Sequence, residues 1–403
     1  LKHIKETRPS IIVGVIGCMA QRLGTELLAR EEVDIVCGPA QIPRIVQLIR
    51  ETIDNRRQTI DITEKIREKQ DTDALEQFES SILDTHDASR TTHHVSGQAY
   101  VRAMRGCNNF CSYCVVPYVR GPEVSRPPEA IIEQIRHLSA EGGKQITLLG
   151  QTINSYRYTA GEKTYCLADL FYMISEIDGI EWIRFVTNYP YKEFFEEIMT
   201  AMRDLPKVCR YLHIPAQSGS DRILAAMNRN YTVADYLALL DKARAIVPDI
   251  AVAGDFIVGF PDESEEDFQA TVELAKKAQY KNCFVFKYST RSGTAADKRL
   301  ADSVTDEVKK RRNIELLAVQ QHISDKLSGQ FLGRTVKVLV EGLSKKPHLN
   351  TAGSSGNPQL IGRTEGDWIV VFNGPQTLAG GFADVRVTKT SPLTLFGEIV
   401  TSS

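Results

Sequence analysis

Long apolar runs are missing from this sequence. No stretch of about 18 or more apolar residues occurs anywhere in its 403 residues. A bilayer-spanning helix needs about 20 such residues, so no transmembrane segment and no membrane contact are predicted. The first residues also lack the basic and then apolar layout of a secretory signal.

An excess of charge is missing as well. The 49 basic and 51 acidic residues leave a net charge of −2. Binding of nucleic acid through bulk positive charge is therefore excluded, and any RNA contact has to come from local patches. The densest basic run, Lys309 to Arg312, lies on a predicted helix and is interpreted as a solvated helix face.

Cysteine is scarce for a protein held together by disulfides, with eight in the whole chain. Three of them, Cys107, Cys111 and Cys114, have the spacing CxxxCxxC, which is expected by chance only about 0.003 times. Three thiolates can hold three irons of a 4Fe-4S cube and leave the fourth open, whereas structural zinc prefers four ligands. We predict a cluster there in a reducing, cytoplasmic protein; the alternatives are a zinc site and core thiols.

The residues after this triplet carry a family resemblance. The stretch from Val115 to Pro127 resembles the radical S-adenosylmethionine (SAM) methylthiotransferases, specifically the bacterial MiaB family of tRNA-2-methylthio-N6-dimethylallyladenosine synthases. Similar segments recur in the family's order at 17–22, 148–156, 213–221 and 255–261. The resemblance implies that the three cysteines are catalytic, that the open iron chelates SAM, and that a 5′-deoxyadenosyl radical forms.

The resemblance also implies a second, auxiliary 4Fe-4S cluster that carries the transferred sulfur, so that two SAM molecules are used per modification. The family holds this cluster with three cysteines of its first domain, and only Cys18 stands in a matching context here. The chain opens with Leu1 rather than Met, so we expect a leading segment with the other two ligands. Cys37 is interpreted as a buried free cysteine.

The predicted fold class is α/β, in four regions. Residues 1–60 alternate strands and helices as a partial N-terminal α/β domain, and residues 61–95 form a polar linker. Residues 96–330 contain six apolar runs separated by amphipathic helices, which predicts an open parallel (β/α)6 radical SAM barrel. Residues 331–403 predict a small antiparallel β-barrel that resembles the OB-like TRAM domain, an RNA-binding module. Its basic set is led by Arg334, Lys337, Lys345, Lys346, Arg363 and Arg386.

Chemistry in parallel barrels gathers at the carboxyl ends of the strands. Four residues at predicted strand ends are expected to bind the cofactor: Asn154, Gln217, Ser218 and Gly259. Each of them can instead serve a turn or a helix cap. Arg120, beyond the cysteine triplet, is expected to contact SAM or the substrate, with a surface salt bridge as the alternative.

Replacing the hydrogen on C2 of adenine calls for a radical, which cofactors rather than side chains supply. The leading hypothesis is a tRNA methylthiotransferase that acts on N6-dimethylallyladenosine next to the anticodon. The alternatives are methylthiolation of threonylcarbamoyl-adenosine or of a ribosomal protein, and a non-catalytic iron–sulfur RNA-binding protein. The expected partners are the anticodon stem-loop of tRNA, a reductase as electron donor and a sulfur donor, and the protein is expected to be a monomer.

Overall fold

The computed structural model describes residues 2–55, 57–62, 97–191, 193, 195–345 and 357–400. The chain divides into two compact units. The first unit takes in the described residues up to 62 together with 105–110 and 114–124, and the second takes in the rest. Residues 63–95 of the predicted linker lie outside the described residues. In the ranges given, none of the helices is both long and apolar enough to reach across a bilayer.

The first unit contains a parallel sheet of three strands in the order β1-β2-β3. Its elements are α1 (Lys2–Thr7), β1 (Gly14–Ile16), α2 (Cys18–Leu23), α3 (Thr25–Leu28), β2 (Ile35–Cys37), α4 (Ile45–Asn55), β3 (Thr59–Asp61) and α5 (Val116–Val119). Val33 and Val36 pack with Leu27 in its core. The predicted strands β1 and β2 are present, whereas β3 was not predicted because it is short and lies among charged residues.

The second unit begins with six parallel strands, one for each predicted apolar run. They are β4 (Gln98–Arg102), β7 (Gln145–Leu149), β10 (Trp182–Phe185), β11 (Tyr211–His213), β12 (Ala251–Val258) and β13 (Asn282–Lys287). They form two sheets, β10-β7-β4 and β11-β12-β13, and Ile183 of β10 forms an isolated parallel bridge with Val208, which precedes β11. Among the described residues no pairing joins β4 to β13, so the barrel is open there, as predicted.

Helices alternate with these strands as the sequence predicted. They are α6 (Pro128–Ala140), α7 (Leu167–Ser175), α8 (Phe195–Asp204), α9 (Asp221–Ala226), α10 (Val233–Ile246), α11 (Glu265–Ala278), α12 (Ala295–Arg299) and α13 (Asp306–Gly329). Short strands complete the region: β5 (Met104–Arg105), β6 (Val124–Ser125), β8 (Arg157–Ala160) and β9 (Lys163–Cys166). The sequences Thr232 to Asp235 and Ser264 to Asp267 have the form that predicts a capping box, and both boxes are formed, with Thr232 and Ser264 as the N-caps of α10 and α11.

The last five strands close into a small barrel in the order β14-β15-β16-β18-β17. They are β14 (Thr335–Leu343), β15 (Gln359–Arg363), β16 (Ile369–Asn373), β17 (Phe382–Thr390) and β18 (Thr394–Ile399). Four pairings are antiparallel and the β16–β18 pairing is parallel. Val338, Val370 and Phe372 lie in its core.

This small barrel docks on the amino ends of the six parallel strands. Arg184 donates hydrogen bonds to the carbonyl oxygens of Thr364 and Glu365, and Lys281 Nζ lies 3.2 Å from Asp367 Oδ2. The carboxyl ends of the strands, where the predicted chemistry gathers, are therefore at the other end of the (β/α)6 barrel.

Candidate functional site

A sharp backbone turn opens the loop that carries the cysteine triplet. Gly106 has a φ of +76°, and a Cβ there would overlap the carbonyl oxygen of Pro122, so only glycine fits. The backbone N–H of Cys107 donates to Gly121 O at 3.2 Å, and Asn109 Nδ2 donates to Cys107 Sγ at 3.4 Å. Because sulfur ligands of clusters commonly accept hydrogen bonds, this local geometry suits Cys107 as a ligand.

Cys111 has a charged hydrogen-bond donor. Nη1 of Arg229 lies 3.3 Å from Cys111 Sγ, and this arginine is only 9% exposed. Its guanidinium stacks over the ring of Tyr189 at 4.2 Å, and Nε donates to the hydroxyl of Tyr231 at 2.9 Å. Burial opposes the charge, but the neighbouring Tyr231, Tyr113 and Cys111 keep the pKa of Arg229 well above its ordinary value. A positive charge therefore faces the sulfur.

Sequence reasoning missed Arg229. It lies 118 residues from Cys111 along the chain and shortly beyond the end of helix α9, where an arginine usually serves a helix end. No local pattern indicates burial at this position, so the residue is recognised only from its contacts.

Cys18, the predicted auxiliary ligand, is the first residue of α2 in the first unit. Arg120 of the same unit donates from Nε to Cys18 Sγ at 3.0 Å. The structure thus brings together two residues for which the sequence predicted different roles, Cys18 as an auxiliary-cluster ligand and Arg120 as a contact to SAM or the substrate. Contact between Arg120 and SAM stays a prediction.

All eight cysteines lie in the described part of the chain, and none forms a disulfide. Burial raises the pKa of Cys37 to about 11 and that of Cys209 to about 12. Both thiols are protonated at neutral pH, which fits the interpretation of Cys37 as a core cysteine. Within the described ranges no three His, Cys, Asp or Glu side chains are close enough together to hold a metal ion by themselves.

The fit of a 4Fe-4S cluster therefore depends on the chemistry of the donors. Soft thiolate sulfurs are the ligands that such clusters use, and Cys107, Cys111 and Cys114 supply three within eight residues of chain. Two of these sulfurs already accept side-chain hydrogen bonds. Such second-layer donors typically orient ligands and tune a bound group. The residues present fit the cluster.

Gln217 lines a cavity of about 270 Å³ at the carboxyl ends of β12 and β13. Its φ of +68° is uncommon outside glycine. Its backbone N–H donates to Asp255 O at 2.8 Å and its carbonyl accepts from Ile257 at 3.0 Å, which holds that conformation. The other lining residues are Tyr113, Asp255, Ile257, Phe286, Lys287, Tyr288, Ser289 and Arg291. The placement suits the predicted cofactor role of Gln217.

Asn154 and Ser218 are buried and already serve the fold. The side-chain amide of Asn154 donates to Tyr189 O at 2.6 Å and accepts from the N–H of the same residue at 2.9 Å. Ser218 Oγ accepts from Ser220 N–H at 3.2 Å and lies 3.4 Å from Thr271 Oγ1. These bonds support the alternative that the sequence left open, and cofactor contacts by either residue stay predictions.

The space beside Gly259 is taken by protein. Its φ is +70°, and a Cβ there would overlap Lys309 Cγ. The backbone N–H of Gly259 donates to Glu263 Oε2 at 2.6 Å. Glycine is required here by conformation and by the lysine side chain, and a close approach to the adenine of SAM stays a prediction.

The basic run on α13 is not a solvated face throughout, so that interpretation was wrong. Lys309 and Arg312 are 3% and 4% exposed. Lys309 Nζ lies 2.7 Å from both carboxylate oxygens of Asp302, and Arg312 Nη1 lies 2.7 Å from Glu263 Oε2. Burial of these two cations is possible because acidic residues from preceding loops pair with them. The sequence of a basic run does not show which acidic residues will lie beside it.

The basic residues of the last barrel serve two purposes. Arg363 pairs with Glu341 at 3.0 Å and with Asp367 at 3.1 Å, so its charge is used within the protein. Arg334 and Arg386 are exposed, and strand pairing places Arg386 opposite Thr335, the neighbour of Arg334. Lys346 lies outside the described residues. Arg334 lies just before β14 and Arg386 lies on β17, and their exposed positive charge suits a phosphate backbone.

Comparison with known proteins extends this picture to the whole chain. A model of the radical SAM superfamily matches residues 101–275, and a model of the TRAM domain matches residues 329–400. The tRNA-2-methylthio-N(6)-dimethylallyladenosine synthase of Rhodopirellula baltica is 41% identical over 406 residues, which covers 100% of this chain and 83% of that protein. The protein of that name from Aeromonas hydrophila subsp. hydrophila is 40% identical over 402 residues, covering 99% of this chain and 78% of the relative.

Solved structures of other proteins also match this chain. Coproporphyrinogen III oxidase (HemN) from Escherichia coli, described as a radical SAM enzyme, matches with a TM-score of 0.46 at 14% sequence identity. The match covers 80% of this chain and 75% of the oxidase.

Proposed function

The chain belongs to the family of tRNA-2-methylthio-N(6)-dimethylallyladenosine synthases, and we propose that it transfers a methylthio group to C2 of N6-dimethylallyladenosine next to the anticodon of tRNA. It is a radical SAM transferase, so SAM and a 4Fe-4S cluster are its cofactors. The observation that carries the proposal is the CxxxCxxC loop, with its sulfur-directed donors, in a chain that matches this family from end to end.

Cys107, Cys111 and Cys114 would hold the cluster, which supplies the electron that cleaves SAM when it is bound. Asn109 and Arg229 keep two of the sulfurs oriented through their hydrogen bonds. Gln217 and the cavity it lines would hold SAM at the carboxyl ends of β12 and β13. Keeping the reacting atoms fixed and water excluded is the protein's share of such chemistry.

Cys18 would be one ligand of an auxiliary cluster. Arg120 supports this assignment, because it donates a hydrogen bond to the Cys18 sulfur from just beyond the cysteine loop. The sulfur that is transferred would come from this second site, and a sulfur donor and a reductase would serve the enzyme between turnovers.

The TRAM domain would hold the tRNA. Exposed positive charge suits contact with the phosphate backbone of RNA, and Arg334, just before β14, and Arg386, on β17, both offer it. The adenosine itself would be read at the carboxyl ends of the (β/α)6 barrel.

The proposal is tested by incubating reduced, reconstituted protein with SAM and a prenylated anticodon stem-loop RNA. We expect 5′-deoxyadenosine and methylthiolated RNA by mass spectrometry, and loss of both products in Cys107→Ala, Cys111→Ala and Cys114→Ala. Cys166→Ser is the matched control, since Cys166 is the N-cap of α7 and serine is a good N-cap. Wild-type protein that forms no 5′-deoxyadenosine would leave the non-catalytic iron–sulfur alternative.

A further inference from the structure

Two phenylalanines of the edge strand β13 face the interior of the (β/α)6 barrel. Strand pairing places Phe284 opposite Asp255 and Phe286 opposite Ile257. Paired residues share a face of the sheet, and alternate residues point to opposite faces. The other face of β12 carries Phe256 and its alternating neighbours, which are buried. The two phenylalanine rings therefore lie on the interior face, away from the helices.

These rings are unusually exposed for the inside of a barrel. Phe284 and Phe286 are 53% and 54% exposed, whereas side chains fill the interior of a closed parallel barrel. Their ring centroids are 6.4 Å apart and their planes differ by 18°. We name Phe284 and Phe286 the interior aromatic pair. It presents two nearly parallel apolar rings, each half-exposed in the part of the chain that the structure describes.

Polar groups border the interior aromatic pair. His213 Nε2 lies 3.0 Å from Asp255 Oδ1, and the imidazole meets the ring of Phe284 edge-on at 6.4 Å. Phe286 also lines the 270 Å³ cavity that contains Gln217. An apolar surface with hydrogen-bonding groups at its margin is the usual design of a site for a flat heterocycle.

We propose that the interior aromatic pair contacts the target adenosine and selects for its apolar N6 substituent. The proposal rests on the proposed function and names the residues that choose its substrate. A five-carbon dimethylallyl group gains from contact with aromatic faces. A threonylcarbamoyl group carries a carboxylate and several hydrogen-bonding atoms, so burial against the same rings would cost free energy of desolvation.

The occupant is an adenosine of the RNA because the pair lies on the strand that borders the open side of the barrel. Among the described residues β13 pairs only with β12, so its other edge faces the gap between β13 and β4. A base turned out of an RNA loop can enter through such a gap, and aromatic side chains are the usual partners of such bases.

The test measures binding and does not need a loaded cluster. Three anticodon stem-loop RNAs are compared by fluorescence anisotropy, with adenosine, N6-dimethylallyladenosine or N6-threonylcarbamoyladenosine at the target position. We expect wild-type protein to prefer the prenylated RNA. Phe284→Ala and Phe286→Ala should each lower that preference about tenfold, the scale on which an apolar pocket senses a small apolar group. Binding of the unmodified RNA should weaken less than binding of the prenylated RNA, because it loses only the contact with the base.

Two variants serve as controls. Phe284→Leu keeps an apolar side chain and should retain most of the preference. Tyr172→Ala removes an exposed aromatic residue from helix α7 and should leave the preference intact. An unchanged preference in both alanine variants would overturn the inference. So would an equal loss of affinity for all three RNAs, or weaker SAM binding with the preference retained, because the rings would then serve the fold or the cofactor.

Failure of the inference and failure of the proposed function give different results. Wild-type protein that methylthiolates prenylated RNA, together with alanine variants that still discriminate, removes only the role of the interior aromatic pair. Wild-type protein that cleaves no SAM and shows no preference among the three RNAs removes the proposed function itself.

Discussion

Arg120 donates a hydrogen bond from Nε to the sulfur of Cys18 at 3.0 Å, across 102 residues of sequence. The two residues belong to the same compact unit. Arg120 is the C-cap of α5, the short helix after the cysteine loop, whereas Cys18 is the first residue of α2. The segment that follows the loop of the radical SAM cluster thus contributes a hydrogen bond to Cys18, the proposed ligand of the auxiliary cluster.

Arg120→Met is expected to weaken retention of iron at Cys18 by about tenfold, because donors to a ligand commonly contribute that much to metal affinity. Iron and sulfide per chain after desalting measure the effect. In a Cys18→Ala background, Arg120→Met should cause no further loss of iron, since Arg120 acts only through its contact with Cys18. If Arg120→Met instead lowers SAM affinity and leaves the iron content intact, Arg120 serves SAM as the sequence suggested.

Arg229→Met is expected to make the cluster at the triplet harder to reduce. The guanidinium places a buried positive charge against Cys111 Sγ. Reduction adds one negative charge to the cluster and so strengthens this contact, which favours the reduced state. The potential should fall by roughly 40 mV, the one-electron equivalent of about 1 kcal/mol for one hydrogen bond. Redox titration followed by electron paramagnetic resonance measures it. Arg229→Lys keeps the charge and should recover part of the shift; equal potentials in all three proteins would contradict the assignment.

Gly259→Ala is expected to destabilise the second unit by about 2 kcal/mol, because alanine at a φ of +70° is strained and its Cβ overlaps Lys309. Gly142→Ala is the matched control, since Gly142 has a φ of +94° but nothing within 4 Å of a Cβ. Urea unfolding of both variants separates backbone strain from the overlap. Unchanged stability of Gly259→Ala with weaker SAM binding would favour the predicted contact with adenine.

Asp367→Asn is expected to loosen the docking of the last barrel by about 3 kcal/mol, because it leaves Lys281, Arg184 and Arg363 without their shared carboxylate. Burial raises the pKa of Asp367, but the three cations together lower it by more than burial raises it. The pKa therefore lies below its ordinary value of 3.8. The carboxylate therefore contributes stability above about pH 3.8, and this contribution is lost as the pH falls through its lower folded pKa.

The wild-type protein should thus lose stability below pH 3.8 more steeply than Asp367→Asn does, which urea midpoints at several pH values would show. Lys281 acts in the opposite direction at alkaline pH. Burial lowers its pKa from 10.5 to about 8 despite its pairing with Asp367, so the unfolded chain binds more protons between those values. The contribution of Lys281 to the free energy of unfolding should therefore rise with pH between about 8 and 10.5, and Lys281→Met should abolish this rise. If the wild-type protein and each variant show parallel curves of stability against pH, the roles assigned to Asp367 and Lys281 are wrong.

The sequence by itself determined the features that depend on neighbouring residues. The spacing of the cysteine triplet, the capping boxes at Thr232 and Ser264, and the six strands of the barrel are local patterns. Ligand spacing, N-cap chemistry and apolar periodicity act over a few residues, so they can be recognised without the fold. The fit of Gly106 against Pro122, by contrast, is seen only in the structure.

The tertiary structure alone decided which distant residues meet. Arg229 reaches Cys111, and Arg120 reaches Cys18, from more than 100 residues away in the sequence. Lys309 and Arg312 are buried because acidic residues from other loops pair with them, and the rings of Phe284 and Phe286 are half-exposed on the interior face of β13. Hydrogen bonds and burial depend on which segments converge in space, and that convergence is a property of the whole fold rather than of any local pattern.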